Sequence, residues 1–549
     1  MSSRVLISPP NEIPPSLLPL VTILSTALRT LTDLFHRLPG SPIIVRYIKS
    51  SYQDDPYRSL LEVLLVAFAL RTLLKGRTRG EGEGNNWVKL SEKEIDELVD
   101  DWTPQPLVDN PTELDESLLV SLPVIHGPNG VKVKLSPGGK PVINLATPNW
   151  VGLIENEKQK TVALDALRVY GVGSCGPSGF YGHFDTHFQI EKDLTAFMGT
   201  EAAIVYGQSF AAVSSVIPAF AKRGDTIVAD RGINFGIHKG MQISRSQIKW
   251  FAHGDMKDLE RVLAQVDRDL RRKGGKLGRR FIVAEGIFEN DGMMLDLPRV
   301  IELKKKYKYR LMLDESISFG MVGKYGRGLT EYYNIPATEV DILMGSMANG
   351  LGAGGGFCAG AAVVVSHQRI NSSAAVFTAS LPPMLCSASS SAISFLLESP
   401  QLLGNLQTNI LAFRQILSKL EPLPLQKTSS SDSLPLPSSS AMSFSPSATN
   451  KDAIISIPSH SASGLIHIFL LHPPPTLDQE EKLLQDVVDE VLNTSGVLIT
   501  RARRLRGQEV LEPEPSLKIC LSGALTKKEV ESAAKGLKAA LIKVVGKKR

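Results

Sequence analysis

The 549-residue chain predicts an α/β protein with a mostly parallel sheet, followed by a smaller α+β unit. Two observations carry this expectation. Between Ala202 and Val365, β-rich runs (AAIVY, DTIVA, QIKWF, RFIVAEG, YRLMLDE, DILMGS, AAVVV) alternate with stretches long enough for helices. That alternation suits a parallel sheet covered on both faces. After Pro400 the order changes to "SGLIHIFLL", a helix-like "LDQEEKLLQDVVDEVL", a strand "PSLKICLSG" and a final helix "TKKEVESAAKGLKAALIKVV".

Taken in order, the elements divide the chain into four regions. Residues 1–87 hold two apolar runs, the second from Ser59 to Leu74, bounded by Tyr57 and Arg58 before it and by Lys75, Arg77 and Arg79 after it. A spanning helix needs about 20 apolar residues; this run, a helix over about 57–75, is shorter and holds Glu62 and Arg71. Both a bilayer span and an interfacial or buried amphipathic helix stay open. Residues 88–150 form an N-terminal arm and part of a small domain. Ser91 and Glu94 stand at capping-box spacing there, and "VKVKLSPGGKPVINLA" reads as a hairpin. Residues 151–395 form the large domain. Residues 396–549 form the C-terminal small domain, interrupted by a Ser/Pro-rich insertion at 427–450.

Composition excludes several classes. Lys plus Arg is 61 against 56 Asp plus Glu, an excess of five, too small to predict phosphate-backbone binding, so no nucleic acid is expected. Cys175, Cys358, Cys386 and Cys520 lie far apart without a CxxC pair, which suggests neither a zinc cage nor a disulfide framework and fits a reducing compartment. His183 and His187 are four apart, but without a glutamate in an HExxH arrangement they predict no metal site. "GVGSCG" and "GLGAGG" both satisfy GxGxxG. The first runs into Pro177 and the second into a strand, so neither opens a helix as a dinucleotide fingerprint must. "KKKYK" at 304–308 reads as a solvated helix end.

One ordered series stands above this background: "GVGSCGPSGFYGHFDTHFQIE", "IVYGQSFAAVSS", "AEGIFENDG", "LMLDESISFGMVGKYGRG", "MGSMANGLGAGGGFCAG" and "FTASLPP". From about residue 88 to the C-terminus it resembles the α-oxoamine synthases, pyridoxal-phosphate enzymes that join an amino acid to an acyl-CoA. The wording is most similar to the first long-chain-base subunits of serine palmitoyltransferases. The resemblance implies an aspartate-aminotransferase-like (fold-type I) large domain with a smaller α+β domain and an N-terminal membrane helix.

Such chemistry needs a lysine for the aldimine, a carboxylate on the pyridine nitrogen and a ring-stacking group. Against the family's motifs, Asp314 in "LDESISFG" matches the carboxylate, while Ile317 occupies a histidine position. Asn349 in "SMANGLG" occupies the lysine position, and Asn234 in "INFG" that of the stacking histidine. An amide cannot form an imine, and no lysine occurs between Lys324 and Lys419. Singly, Asp314 also suits a turn or cap, and Asn349 a helix cap.

The coincidence of replacements in an intact framework reads as a subunit inactive by itself. The resemblance implies a lysine-bearing partner, the second long-chain-base subunit, that carries pyridoxal 5'-phosphate covalently and condenses L-serine with palmitoyl-CoA to 3-ketodihydrosphingosine. It further implies small membrane activator and regulatory subunits, and a place at the cytosolic face of the endoplasmic reticulum. Thr378 is the first choice for a hydroxyl sent to the partner's cofactor phosphate, with Ser380 nearby; Cys175 and Tyr181 are expected to shape the serine pocket, so that a bulky residue at Cys175 would loosen amino-acid choice. Two rivals stay open: a pure scaffold, and an active enzyme using Lys239 or Lys324.

Overall fold

The computed structural model describes residues 30, 33, 40–74, 90–104, 107, 113–273, 278–422, 453–503 and 507–546. The first apolar run, all but residues 30 and 33, and the Ser/Pro-rich insertion lie outside the described residues. The chain forms two compact units, Met1–Asp109 and Asn110–Arg549.

In the first unit, helices Ser41–Asp54 and Pro56–Leu74 pack as a pair, and a third helix covers Glu92–Asp100. Ser91 caps the third, its hydroxyl accepting from Glu94 N while the Glu94 carboxylate accepts from Ser91 N. The expected helix near 57–75 therefore forms, and it leaves Tyr57, Leu61, Leu65 and Phe68 exposed. No helix among the described residues is long and apolar enough to cross a membrane. This corrects the spanning alternative: Glu62 and Arg71 sit within the 19-residue helix itself, and charges at mid-bilayer are costly.

The second unit is built on a seven-stranded sheet. Ahead of it, β1 (Lys132–Val133) and β2 (Val142–Asn144) form the expected antiparallel hairpin. The sheet itself comprises β3 (Ala202–Tyr206), β4 (Thr226–Asp230), β5 (Gln247–Phe251), β6 (Arg280–Glu285), β7 (Arg310–Asp314), β8 (Ile342–Ser346) and β9 (Gly356–Gly360), in the order β3-β9-β8-β7-β6-β4-β5. Strands β5, β4, β6, β7 and β8 pair in parallel, and β9 runs against both its neighbours. Strands β4, β8 and β9 are buried along their whole length, as central strands covered on both faces must be.

One predicted strand is a helix. AAVVV falls at the start of helix Ala362–Asn371, and the strand is the preceding GFCAG. Pairing of β9 stops at Gly360. The Glu201 carboxylate then accepts from Ala362 N at 2.9 Å and caps the new helix, and this tertiary contact overrides the β-branched propensity of the valines.

The C-terminal part carries β10 (Ile455–Ser456), β11 (Leu465–Leu470), β12 (Val497–Leu498), β13 (Thr500–Arg501) and β14 (Leu517–Cys520). An antiparallel sheet of order β10-β11-β14-β13 lies with helices Gln401–Leu417, Leu477–Ser495 and Lys527–Val544, while β12 pairs in parallel with β2. The small domain is tied to the loop that follows β6: Lys518 Nζ lies 3.2 Å from Glu289 Oε1, and Ser459 Oγ donates to Asp291 O.

Candidate functional site

In open α/β sheets, ligands gather at the carboxyl ends of the strands. Here those ends bring together residues far apart in sequence. Asp314 closes β7, Glu285 closes β6 directly beside it, Asn234 follows β4, and Ser346 closes β8 just ahead of Asn349.

The groups in this interior site satisfy one another. Asn234 caps helix Phe235–Ser244, its Oδ1 accepting from Ile237 N at 3.0 Å. Its Nδ2 donates to Asp314 Oδ2 at 3.1 Å, and its backbone N–H donates to Glu285 Oε1. Asp314 Oδ1 accepts from Ser316 N at 2.9 Å and from Ser316 Oγ, so both carboxylate oxygens are engaged. Asn349 Nδ2 donates to Ser316 O at 3.1 Å, and Asn349 N donates to Ser346 Oγ at 3.2 Å. Ser346 Oγ is also 2.8 Å from Ser209 Oγ. Ile317 is buried in the apolar core. A side chain at Gly320 would meet Gly350 Cα at 2.5 Å, so the segment after β7 lies tight against the helix that carries Asn349.

Electrostatics follow from burial. Burial raises the Asp314 carboxyl, opposed by its bonds from Ser316 and Asn234. Glu285 is raised further, first by burial and then by the charge of Asp314. Glu315, fully buried and accepting from Leu329 N, is pushed up by burial to about 7. Nearby, His253 stands between Asp230 (2.6 Å) and Asp291 (2.8 Å); burial opposes its charge, but the two carboxylates outweigh it and hold it at about 11.

The residues expected to reach a partner lie elsewhere, and the fold brings them together. The loop containing Cys175 and Tyr181 runs beside the segment Thr378–Ser380. Ser380 N donates to Gly176 O at 3.0 Å, Ser174 Oγ donates to Ser380 O at 2.8 Å, and Ser178 Oγ is 2.9 Å from Ser380 Oγ. Cys175 (φ 56°) and Tyr181 (φ 66°) both hold left-handed backbone, a conformation uncommon for residues other than glycine. Cys175 is exposed and Tyr181 is fully so, with Phe180 and Phe377 also open. Thr378 is exposed and its hydroxyl donates back to Ala374 O. Ser380 is buried, its hydroxyl already shared with Ser178.

Other candidates are placed as follows. Lys239 Nζ donates to Gln508 Oε1 at 2.7 Å, and Lys324 Nζ sits over the Tyr325 ring. His187 Nδ1 accepts from Phe184 N, and its Nε2 lies 2.8 Å from Leu381 O, so this imidazole acts as a strut. Among the described residues, no group of three or more His, Cys, Asp or Glu could hold a metal ion. Lys304, Lys305 and Lys306 pair with Asp341, Glu339 and Glu260. Sequence reasoning missed Glu285, Ser316 and the Ser174–Ser178–Ser380 contacts. Glu285 carried one faint signal, an acid ending a strongly β-rich run.

Comparison with known proteins agrees with this architecture. The family model for aminotransferase class I and II matches residues 140–537. Serine palmitoyltransferase 1 of Saccharomyces cerevisiae is 34% identical over 564 residues, covering 97% of this chain and 98% of the relative. Serine palmitoyltransferase 1 of Dictyostelium discoideum is 38% identical over 455 residues, covering 82% and 87%. Among solved structures, the Sphingomonas wittichii serine palmitoyltransferase shares the fold with a TM-score of 0.63 at 20% identity, covering 79% of this chain and 96% of that one.

Proposed function

The chain belongs to the aminotransferase class I and II family and, within it, to the serine palmitoyltransferase 1 proteins, and from that premise we propose that it is the subunit of a serine palmitoyltransferase that carries no catalytic lysine of its own. The residues present do not fit a covalently held pyridoxal phosphate. The lysine position is the amide Asn349, bonded to Ser316 O, and both oxygens of Asp314, the expected ring-nitrogen partner, already accept hydrogen bonds from Asn234 and Ser316. That internal closure is the observation that carries the reading, and no chemical step is assigned to these residues.

The chain's contribution then falls to its outer rim. A lysine-bearing second long-chain-base subunit holds the cofactor and condenses L-serine with palmitoyl-CoA, giving 3-ketodihydrosphingosine for sphingolipid synthesis. This chain supplies the wall around that partner's site through Cys175, Tyr181 and Thr378. For Thr378 to serve a phosphate, its hydroxyl must turn away from Ala374 O, a small rotation for an exposed side chain.

Copurification with a lysine-bearing partner, followed by assay of serine and palmitoyl-CoA turnover, tests the reading. The pair should make the ketone, and this chain alone should show no cofactor absorbance that borohydride fixes onto a lysine. An absorbing, active isolated chain overturns it. The back-bonded Thr378 hydroxyl favours a second reading, a scaffold that never touches the chemistry. In that case Thr378→Ala and Tyr181→Phe leave turnover intact; in the reading preferred here they lower it.

We also infer a place at the cytosolic face of the endoplasmic reticulum membrane, alongside small activator and regulatory subunits. Helix Pro56–Leu74 leaves Tyr57, Leu61, Leu65 and Phe68 exposed, an apolar surface that a membrane contact would cover. Deletion of residues 1–80 should release the protein into the soluble fraction; retention on membranes would assign anchoring to another surface.

A further inference from the structure

We propose that Ser380 is a positioning residue, the hub of a clamp that presents the Cys175–Tyr181 loop to the partner's amino-acid site, and not itself a donor to the partner's cofactor. The inference rests on the functional reading above and names the part of this chain that sets its geometry.

Three contacts converge on this one residue. Its N–H donates to Gly176 O, its carbonyl accepts from Ser174 Oγ, and its hydroxyl shares a hydrogen bond with Ser178 Oγ. Ser174 and Ser380 are both buried, so the bond from Ser174 Oγ to Ser380 O is shielded from competing water. The next residue is gripped too, since Leu381 O lies 2.8 Å from His187 Nε2. The loop is therefore fastened at its start, at its tip and on the helix that follows it.

The loop also closes on itself. Phe180 N and Gly182 N both donate to Pro177 O, and a side chain at Gly182 would strike Gly176 O at 1.9 Å. What this fastened loop displays is costly to display. Cys175 and Tyr181 keep left-handed backbone, and the whole Tyr181 ring is open to solvent. Each such residue costs on the order of 1 kcal/mol or more, and such outliers persist where the surroundings over-determine them. The clamp is the over-determining element. The Ser380 hydroxyl sits at a buried residue and already shares a hydrogen bond with Ser178 Oγ, which sets it apart from the exposed Thr378.

The test compares Ser380→Ala, Ser178→Ala and the double variant in the reconstituted two-subunit enzyme. Both single changes delete the same hydrogen bond. Each should raise the KM for serine and the relative use of alanine by about threefold to tenfold, the factor one neutral hydrogen bond carries, with kcat for serine nearly unchanged. The double variant should be no worse than either single one, because the bond is lost only once. If Ser380→Ala impairs turnover while Ser178→Ala is silent, Ser380 is a direct donor and the clamp is wrong; if both are silent, the loop's position does not matter and the proposal falls. Amide hydrogen exchange on the full chain alone gives a readout independent of activity. Residues 178–182 should exchange faster in either variant, and unchanged protection overturns the clamp. A wild-type pair that makes no ketone defeats the functional reading, while the exchange experiment still decides the clamp.

Discussion

The interior site and the outer rim of the large domain treat their polar groups in opposite ways. At the strand ends, Asp314, Asn234, Ser316 and Asn349 are engaged with one another, and Asn234 and Asp314 are shut off from solvent. On the rim, Cys175 and Tyr181 are exposed on strained backbone, beside the open Phe180 and Phe377. A group whose partners are all internal serves stability. A group held at a conformational cost and facing outward is a candidate for contact with something outside the chain. The difference sets a closed interior against an open, strained surface at Cys175 and Tyr181.

Substitutions on the two sides should therefore split stability from turnover. The largest effect is expected from Asn234→Ala, which removes a helix cap and a donor to a buried carboxylate. Together these amount to about 3 kcal/mol, measured by urea denaturation, with the serine KM of the assembled pair unchanged. A shifted KM at unaltered stability would break the comparison by giving the interior a working role.

Next comes pH. The folded Glu315 pKa, about 7, lies above its ordinary 4.5. Its stabilising contribution is thus fully present below pH 4.5 and is lost as pH rises through 7. The loss is at most about 3 kcal/mol. In Glu315→Gln the loss should vanish, so the difference between wild type and variant changes sharply over pH 4.5–7; parallel curves would mean that the carboxyl keeps its ordinary pKa.

The smallest stability effect belongs to the rim. Tyr181→Gly relieves left-handed strain while freeing the unfolded chain, and these offset to within about 1 kcal/mol. Turnover by the pair should nevertheless fall. Undiminished turnover would return Tyr181 to the ordinary surface.

Much of this was legible from residues alone. The β-rich runs located six of the seven strands of the large sheet, because strands buried on both faces are apolar along their length and the edge strand β5 alternates polar with apolar residues. Ser91 and Glu94 announced a capping box, and the Pro-Gly-Gly turn a hairpin, because both are local. The motif order pointed to Asp314, Asn234 and Asn349. The AAVVV run misled because its fate depends on Glu201, some 160 residues earlier, whose carboxylate caps the helix. The pairing of Asn234 with Asp314 spans 80 residues, and that of Ser178 with Ser380 spans 202; no periodicity reports such contacts.

By itself, the sequence determined the kind of fold and the amide side chains at 234 and 349, since both follow from side-chain type and local pattern. Only the tertiary structure decided that the amide at 234 seals the acid at 314, that a buried serine fastens an exposed loop, and that the helix over 56–74 leaves its apolar side chains exposed. Hydrogen bonds and burial are properties of distance in space, and the chain brings those groups together only after it has folded.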